Sequence, residues 1–259
     1  MQVQRSSTNS RRSLVTDLAR NQSQVLSAQR LRFNVFSDEY GADLGSSDGI
    51  DADRFDPHCD HVIVSNEDTG ETVATTRILH GRAASDIGGF YSEDEFELNR
   101  LKQTPGVFAE LGRTCIHADY RNTSALSQLW AAVSRYMINE KVDYLIGCAS
   151  ISMIDGGHKA FAITRKLQAD HLVAERFRVV PRRQLPHVAN SNASGATSDI
   201  PPLIRAYMRL GAEVCGPPCW DPSFRCADLL VLLEVEKLTS RYARKFLRPC
   251  QATAGQRVT

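Results

Sequence analysis

The spacing of apolar residues predicts alternating helices and strands along most of the chain. Apolar side chains recur at helical spacing in the segments that we assign to helices. These segments are residues 25–36, 96–103, 122–141, 157–167, 203–210 and 236–247. Apolar runs and alternating patterns predict strands over residues 61–65, 72–79, 107–117, 143–151, 173–179 and 227–235. This order of elements is typical of an α/β fold built on a mixed sheet.

Residues 107–151 form a strand, a helix and a second strand at the centre of this pattern. The second strand, over residues 143–151, is apolar throughout, as expected for a strand that is buried on both faces. Such a unit predicts two parallel strands joined by a right-handed crossover. Residues 41–60 and 81–89 carry the Gly and polar residues that are typical of loops.

The strand over residues 107–117 carries a carboxylate and a guanidinium on either side of a glycine. Side chains alternate across a strand, so Glu110 and Arg113 would point to opposite faces of a flat sheet. Gly112 lies between them and predicts a bulge that re-aims one of the two side chains. The alternative is an ordinary buried strand with one polar edge.

The composition excludes several classes of protein. The net charge of +1 over 259 residues gives no overall attraction to nucleic acid. No apolar run approaches the roughly 20 residues that a membrane-spanning helix needs. We predict that residues 1–22 form a disordered tail, because their first part is polar and rich in Ser. They lack the apolar core of a secretory signal peptide. Residues 23–249 predict a single domain, and residues 250–259 a flexible tail.

The seven cysteines indicate reduced thiols in the cytoplasm, because they are scattered through apolar segments rather than arranged as a disulfide framework. Cys215, Cys219 and Cys226 lack the two-residue separation of zinc ribbons. Cys59 stands beside two histidines and could contribute to a metal site. Free cysteines commonly pack as small apolar side chains, so we expect no bound metal.

Four segments of the chain together resemble a known enzyme family. They are residues 31–36 (LRFNVF), 51–56 (DADRFD), 76–79 (TRIL) and 110–113 (ELGR). In this order and spacing they resemble the acyl-homoserine-lactone synthases and, more closely, the ornithine-lipid acyltransferases long called hemolysin-like. The resemblance implies a GNAT fold, which is a mixed twisted sheet flanked by helices. A C-terminal strand and helix would extend that fold.

The resemblance also implies an acyltransferase activity and a set of site residues. The ornithine-lipid group moves a fatty acyl group, often 3-hydroxylated, from acyl carrier protein to the α-amine of L-ornithine, giving lyso-ornithine lipid. No separate cofactor is implied, since the phosphopantetheine of the carrier protein is part of the co-substrate. By position, the residues that match the family site are Arg32, Phe36, Asp53, Asp56, Arg77, Glu110 and Arg113.

Two departures from the family pattern bear on the substrates. The lactone synthases carry a tryptophan after the first helix, whereas Tyr40 and Gly41 stand there in this chain, which argues against an S-adenosylmethionine substrate. Many GNAT enzymes bind the coenzyme A pyrophosphate on a Gly-rich turn, but residues 119–126 contain no glycine. Arg121 and the following helix N-terminus could hold the single phosphate of a carrier protein. We therefore expect acyl carrier protein as donor, with coenzyme A as the alternative.

Basic residues predict where larger partners would bind. Acyl carrier protein is acidic, so we expect an exposed basic patch to receive it. The candidates are Arg176, Arg178, Arg182 and Arg183, for which a solvated charged face is the alternative. The basic helix over residues 236–247 predicts peripheral contact at the inner face of the membrane, or else packing of its apolar stripe in the core.

The expected reaction requires a base, because a free α-amine is mostly protonated at neutral pH. We expect Glu110 to take this proton directly or through a water, unless it only pairs with Arg113. Backbone N–H groups near the predicted bulge are the candidate donors to the developing oxyanion. No side chain stands out as the acid for the leaving thiolate.

Three arginines could bind the carboxylate of the acceptor through their two-pronged guanidinium groups. They are Arg32, Arg77 and Arg113, which could alternatively pair with Asp53 and Asp56 in a structural network. Those aspartates could instead bind the side-chain ammonium of the acceptor. Two other functions stay open: a synthase of lactones or other N-acyl amino acids, and a non-catalytic module that binds acyl chains or carrier protein.

Overall fold

A computed structural model describes residues 13–40, 47–186 and 200–238. Residues 1–12, the predicted tail over residues 250–259 and the predicted basic helix from residue 239 onward lie outside this part of the chain. None of the described helices is both long enough and apolar enough to cross a membrane.

Six helices and ten strands make up the described chain. The helices are α1 (Gln22–Tyr40), α2 (Gly81–Asp86), α3 (Asn99–Lys102), α4 (Ala125–Asn139), α5 (His158–His171) and α6 (Pro202–Leu210). The strands are β1 (Leu14–Leu18), β2 (Asp60–Asn66), β3 (Thr72–His80), β4 (Phe96–Glu97), β5 (Phe108–Ile116), β6 (Tyr144–Ser152), β7 (Val180–Pro181), β8 (Glu213–Val214), β9 (Cys219–Asp221) and β10 (Cys226–Glu234). The long helices and strands follow the predicted ones closely.

Eight of the strands form one mixed sheet. Its order is β1-β2-β3-β5-β6-β10-β8, with β9 paired to β10, while β4 and β7 form a separate small pair. Strands β5 and β6 run parallel, with Ala109 opposite Leu145, and the other pairs of the sheet are antiparallel. The predicted parallel unit over residues 107–151 is therefore confirmed, with α4 as its connection.

Helices and irregular segments cover the two faces of the sheet. On one face, α4 packs Leu129 and Val133 against sheet residues such as Leu145. On the opposite face, the next residue along β6, Ile146, packs in a second cluster with Phe177. Successive side chains of a strand point to opposite faces, so a strand that is apolar throughout serves both cores at once.

One predicted tail and one predicted loop contain regular structure. Leu14–Leu18 lies within the predicted N-terminal tail, yet it forms the edge strand β1, with Leu14 opposite Asn66 on β2. An edge strand need not bury every apolar residue, and Val15 is 46% exposed. The segment therefore lacks the regular apolar pattern from which a strand is predicted. Residues 81–89 were expected to be a loop, but α2 begins there because the ring of His80 accepts a hydrogen bond from the Arg82 backbone N–H.

Two predicted elements differ in kind from the observed ones. The prediction of a half-buried strand over residues 173–179 is wrong. The segment contains a short 3-10 helix, Glu175–Phe177, which buries Phe177. The two ends of the segment are fixed, because the backbone N–H groups of Val173 and Val179 donate hydrogen bonds to the carbonyl oxygens of Val214 and Cys215. Burial therefore alternates along the segment although it is not a strand. The predicted helix over residues 96–103 is shortened to α3, because its first residues pair with β7 instead.

Candidate active site

A bulge in β5 brings the predicted charged pair into one cavity. Thr75 of β3 lies opposite Cys115 and Arg77 lies opposite Gly112, so two residues of β5 face a single residue of β3. The predicted bulge is confirmed, but the residue in the left-handed region is Arg113, with φ of 52°, rather than the glycine. A non-glycine residue held there stores strain of the kind that clusters at functional sites.

Strands β5 and β6 separate just before the bulge. Their ladder ends where Glu110 lies opposite Ile146. At Gly147 a Cβ atom would lie 2.4 Å from the carbonyl oxygen of Leu111, so the absence of a side chain allows the strands to meet closely before they part. A cavity of about 590 Å³ opens beyond this point and is lined by residues 110–116 of β5 and 148–150 of β6.

Glu110 is held at the base of the cavity by main-chain donors. Its carboxylate accepts hydrogen bonds from the backbone N–H groups of Tyr91 at 2.7 Å and Ser92 at 2.9 Å. Burial raises the pKa of Glu110 above its usual value, although these hydrogen bonds oppose the rise. Within the described part of the chain, Glu110 and Arg113 form no ion pair. The expected alternative, a pair that merely orders the strand, is therefore absent from these residues.

Arg32 is enclosed by acidic side chains behind the cavity. It is 1% exposed and donates hydrogen bonds to Asp51 at 2.7 Å and to Asp56 at 2.6 Å. Burial alone would raise the pKa of Asp56, but Arg32 and then Arg77 hold it well below its usual range. Such buried ion pairs need good geometry to offset the loss of hydration, and this one satisfies both partners.

Arg77 and Arg113 line the cavity and also belong to this network. Arg77 binds Asp53 through two hydrogen bonds of 2.6 and 2.7 Å, a bidentate pair, and lies 3.0 Å from Asp56. Arg113 reaches Asp51 at 3.1 Å and Asp53 at 3.2 Å. The aspartates of the loop are thus engaged by arginines, as in the predicted structural network.

The other predicted site residues lie at the cavity wall or on the surface. Phe36 and Arg121 line the cavity, and Arg121 does so just before the start of α4. The four arginines predicted to receive a carrier protein, Arg176, Arg178, Arg182 and Arg183, are all exposed. Three of these arginines also make local contacts: Arg182 donates to the Glu93 carbonyl, Arg183 donates to the Trp220 carbonyl, and Arg176 lies over the Phe177 ring.

Sequence reasoning missed a second group of acidic side chains at the cavity. Asp221 and Asp228 line the cavity, and Glu95 interacts with Asp228 from behind. Burial, followed by the neighbouring Asp228 charge, raises the pKa of Glu95 to about 8. Burial also raises the pKa of Asp228 to about 6. A lone aspartate inside the apolar run of β10 was the signal that could have revealed this group.

The same region contains a possible set of metal ligands. The donor atoms of Asp221, Cys226 and Asp228 lie within 4.8 Å of one another. Burial raises the pKa of the Cys226 thiol far above its usual value, and a thiol must lose its proton to bind zinc. Without a metal, this thiol therefore keeps its proton.

Comparison with known proteins agrees with this geometry. Residues 31–131 match the family model described as an acetyltransferase (GNAT) domain. The chain is 32% identical over 252 residues to the L-ornithine N(alpha)-acyltransferase of Brucella abortus (strain 2308), which covers 89% of this chain and 87% of that protein. The chain belongs to the L-ornithine N(alpha)-acyltransferase family. It is also 33% identical over 245 residues to the protein of that name from Agrobacterium fabrum, with 88% and 83% covered.

Solved structures show that this member of the L-ornithine N(alpha)-acyltransferase family has the GNAT fold, as predicted. An N-acyl amino acid synthase from uncultured soil microbes aligns with a TM-score of 0.53 at 12% identity, over 87% of this chain and 92% of that one. A CoA-dependent acyl-homoserine lactone synthase also aligns with a TM-score of 0.53 at 12% identity, over 88% and 84%. At such low identity, these likenesses establish the fold alone.

Proposed function

We propose that this acyltransferase moves a fatty acyl group, often 3-hydroxylated, from acyl carrier protein to the α-amine of L-ornithine, giving lyso-ornithine lipid. One observation carries the proposal: the Glu110 carboxylate lies buried where β5 and β6 part, inside a cavity that can accept a thioester. The names of the relatives supply the acceptor, because four curated proteins of 30–33% identity are called L-ornithine N(alpha)-acyltransferase.

Glu110 would act as the base. Its pKa is raised by burial, and a base works best when its pKa approaches the working pH. The carboxylate takes a proton from the ornithine α-ammonium, and the freed amine attacks the thioester carbonyl. The tetrahedral intermediate then collapses: the C–S bond breaks, the second proton of the attacking nitrogen passes to the leaving sulfur, which departs as the pantetheine thiol, and an amide bond replaces the thioester. Glu110 gives its proton to solvent.

The main chain of β5 would stabilise the negative charge that develops on the thioester oxygen. Beyond Glu110, the ladder between β5 and β6 stops, while residues 111–116 continue along the cavity wall. Backbone N–H groups fixed beside the reacting carbonyl are effective oxyanion donors because they need no reorientation during the reaction. The bulge at Arg113 would aim these groups at the oxygen.

The donor would enter beside the N-terminus of α4. Arg121 lines the cavity there, and the first turn of α4 contains no acidic residue. A helix N-terminus and a nearby arginine suit the single phosphate of phosphopantetheine. The exposed arginines at positions 176, 178, 182 and 183 carry the positive charge that an acidic carrier protein requires. The resemblance to lipid-forming enzymes also favours action in the cytoplasm at the inner face of the membrane.

Arg77 and Arg113 would meet the acceptor carboxylate. Both line the cavity while they hold Asp53. Each guanidinium has five N–H donors, so donors are left for a substrate after the aspartate is bound. Arg32 and the aspartates of the loop would brace these two arginines rather than touch the substrate.

The donor and acceptor are tested by the release of free thiol from acyl carrier protein and from acyl coenzyme A with a panel of amino acids. We expect 3-hydroxyacyl carrier protein with ornithine to be the fastest pair. An Arg182→Ala/Arg183→Ala double variant should raise KM for the carrier protein about tenfold with little change in kcat. Arg165→Ala, an exposed arginine on α5, is the matched control. Thiol release only from coenzyme A would contradict the proposed donor.

A further inference from the structure

In the part of the chain that the structure describes, three buried carboxyl groups at or next to the cavity have no cationic partner. Glu95, Asp221 and Asp228 are 2%, 6% and 3% exposed. Among the described residues, no lysine, arginine or histidine forms an ion pair with any of them. Buried carboxylates are nearly always paired with a positive charge or a metal, because burial without one is costly.

The groups that do contact these carboxylates are neutral. Asp228 accepts a hydrogen bond from the Cys226 thiol at 3.4 Å and another from the Ser150 hydroxyl. Asp221 accepts two backbone hydrogen bonds, from Ser223 and Phe224, at 2.7 and 3.2 Å. These contacts orient the carboxyl groups, and none of them supplies a positive charge. Burial first, and then the charge of a neighbouring carboxylate, raises the pKa of both Glu95 and Asp228.

The aspartates of the loop over residues 51–56, by contrast, are paired with arginines. Asp53 is engaged by Arg77 and Arg113, and Asp56 by Arg32 and Arg77. A cationic substrate group would have to compete with arginines for either aspartate. The sequence analysis allowed the loop aspartates to bind the side-chain ammonium. Glu95, Asp221 and Asp228, which we call the unpaired group, are physically better suited to bind it.

Strand register places the unpaired group on the same face of the sheet as the base. Glu110 lies opposite Ile146 on β6, and Asp228 of β10 lies opposite Ser150, four residues further along β6. Residues an even number apart on a strand share a face, so Glu110, Ile146, Ser150 and Asp228 do so. The cavity is thus lined by Arg77, Arg113 and Glu110 and also by Asp221 and Asp228.

We propose that Asp221 and Asp228, with Glu95 behind them, bind the side-chain ammonium of the acceptor and so select a diamino acid over a neutral one. An α-amino acid with a cationic side chain matches this polarity: its α-carboxylate meets Arg77 and Arg113, and its far end meets the carboxylates. The inference rests on the proposed function, since it names the part of the same site that recognises ornithine.

The test compares two acceptors of equal chain length, L-ornithine and L-norvaline, which lacks the terminal amine. In the wild-type enzyme we expect kcat/KM for ornithine to exceed that for norvaline by about 30-fold or more. Asp228→Asn should lower the ornithine value about 30-fold and leave the norvaline value within threefold. Asp170→Asn, at an exposed position on α5, is the matched control and should change neither value.

Several outcomes would overturn the inference. Wild-type enzyme that uses both acceptors equally would do so, as would equal losses on both acceptors in Asp228→Asn. Asp221→Asn gives the same comparison if the first variant does not fold. Loss of all activity with EDTA and its return with zinc would make the cluster a metal centre instead. Wild-type enzyme that acylates neither acceptor would contradict the proposed function itself, before any variant is made.

Discussion

The Glu110 carboxylate accepts a hydrogen bond of 2.7 Å from the backbone N–H of Tyr91, which fixes it at the point where the central strands part. A second bond from the next residue completes the cradle. Main-chain donors keep the side chain in one position without consuming its charge in an ion pair. This relationship favours a proton-transfer role over a structural one.

Replacing Glu110 with glutamine should abolish most of the activity while preserving the fold. The amide can still accept one of the two backbone bonds but cannot take a proton, so we expect kcat to fall about 100-fold or more. Steady-state thiol release measures this, and thermal unfolding checks the fold. Glu97→Gln, at an exposed position in β4, is the control. Turnover equal to wild type would assign Glu110 a structural role.

Removing the buried guanidinium of Arg32 should destabilise the protein strongly. Arg32→Met removes the cation that Asp51 and Asp56 share and leaves them only Arg113 and Arg77, respectively. Breaking such a buried network typically costs about 3–5 kcal/mol in the free energy of unfolding. Arg20→Met is the control, because Arg20 forms an exposed pair with Asp17 that is worth about 0–1 kcal/mol. Urea unfolding of both variants decides the point. Similar losses in the two would show that burial of the network adds no stability.

The split between β5 and β6 should be sensitive to one methyl group. In Gly147→Ala, the new Cβ would overlap the Leu111 carbonyl oxygen, and such overpacking typically destabilises a protein by about 1–3 kcal/mol. Gly112→Ala is a matched control on the neighbouring strand, where the nearest atom lies 3.6 Å away on Arg77. The urea midpoint should fall for the first variant alone. An unchanged midpoint would mean that the strands can separate freely at this position.

Glu95 should make stability depend on pH. Its pKa is about 8 in the folded protein against an ordinary value of 4.5, so the folded state keeps a proton that the unfolded chain has lost. Its favourable contribution is complete below pH 4.5 and is lost as the pH rises to about 8. The side chain of the Glu95→Gln variant is neutral at every pH. Between pH 4.5 and about 8, the free energy of unfolding of this variant should therefore rise relative to that of wild type. Parallel pH curves for the two proteins would contradict the raised pKa.

The sequence was informative where chemistry and pattern are local. Gly112 between two charged residues was enough to predict a bulge, and the apolar run over residues 143–151 predicted the buried parallel strand. The position of the strain was not predictable, because φ of 52° at Arg113 depends on how β5 pairs with β3. Edge strand β1 was missed because two of its three apolar residues, Val15 and Leu18, are exposed.

Contacts between residues that are distant in sequence could not be predicted from the sequence pattern. The order of the motifs identified the arginines of the site and the aspartates of the loop. Only the fold shows which guanidinium binds which carboxylate. Glu95 and Asp228 are far apart in sequence. Glu95 is one of several acidic residues in a polar segment, whereas Asp228 interrupts an apolar one. Their shared burial becomes visible only when β10 lies beside β6. The free carboxylates of the cavity are therefore a finding of the structure.

The most direct measurement is product analysis with the purified full-length chain. The protein is incubated with 3-hydroxyacyl carrier protein and L-ornithine, and tandem mass spectrometry locates the new amide bond. We predict ornithine acylated on the α-nitrogen in wild type, and a loss of at least about 100-fold in its rate of formation in Glu110→Gln. Absence of any N-acyl amino acid product, or acylation on the side-chain nitrogen, would contradict the account.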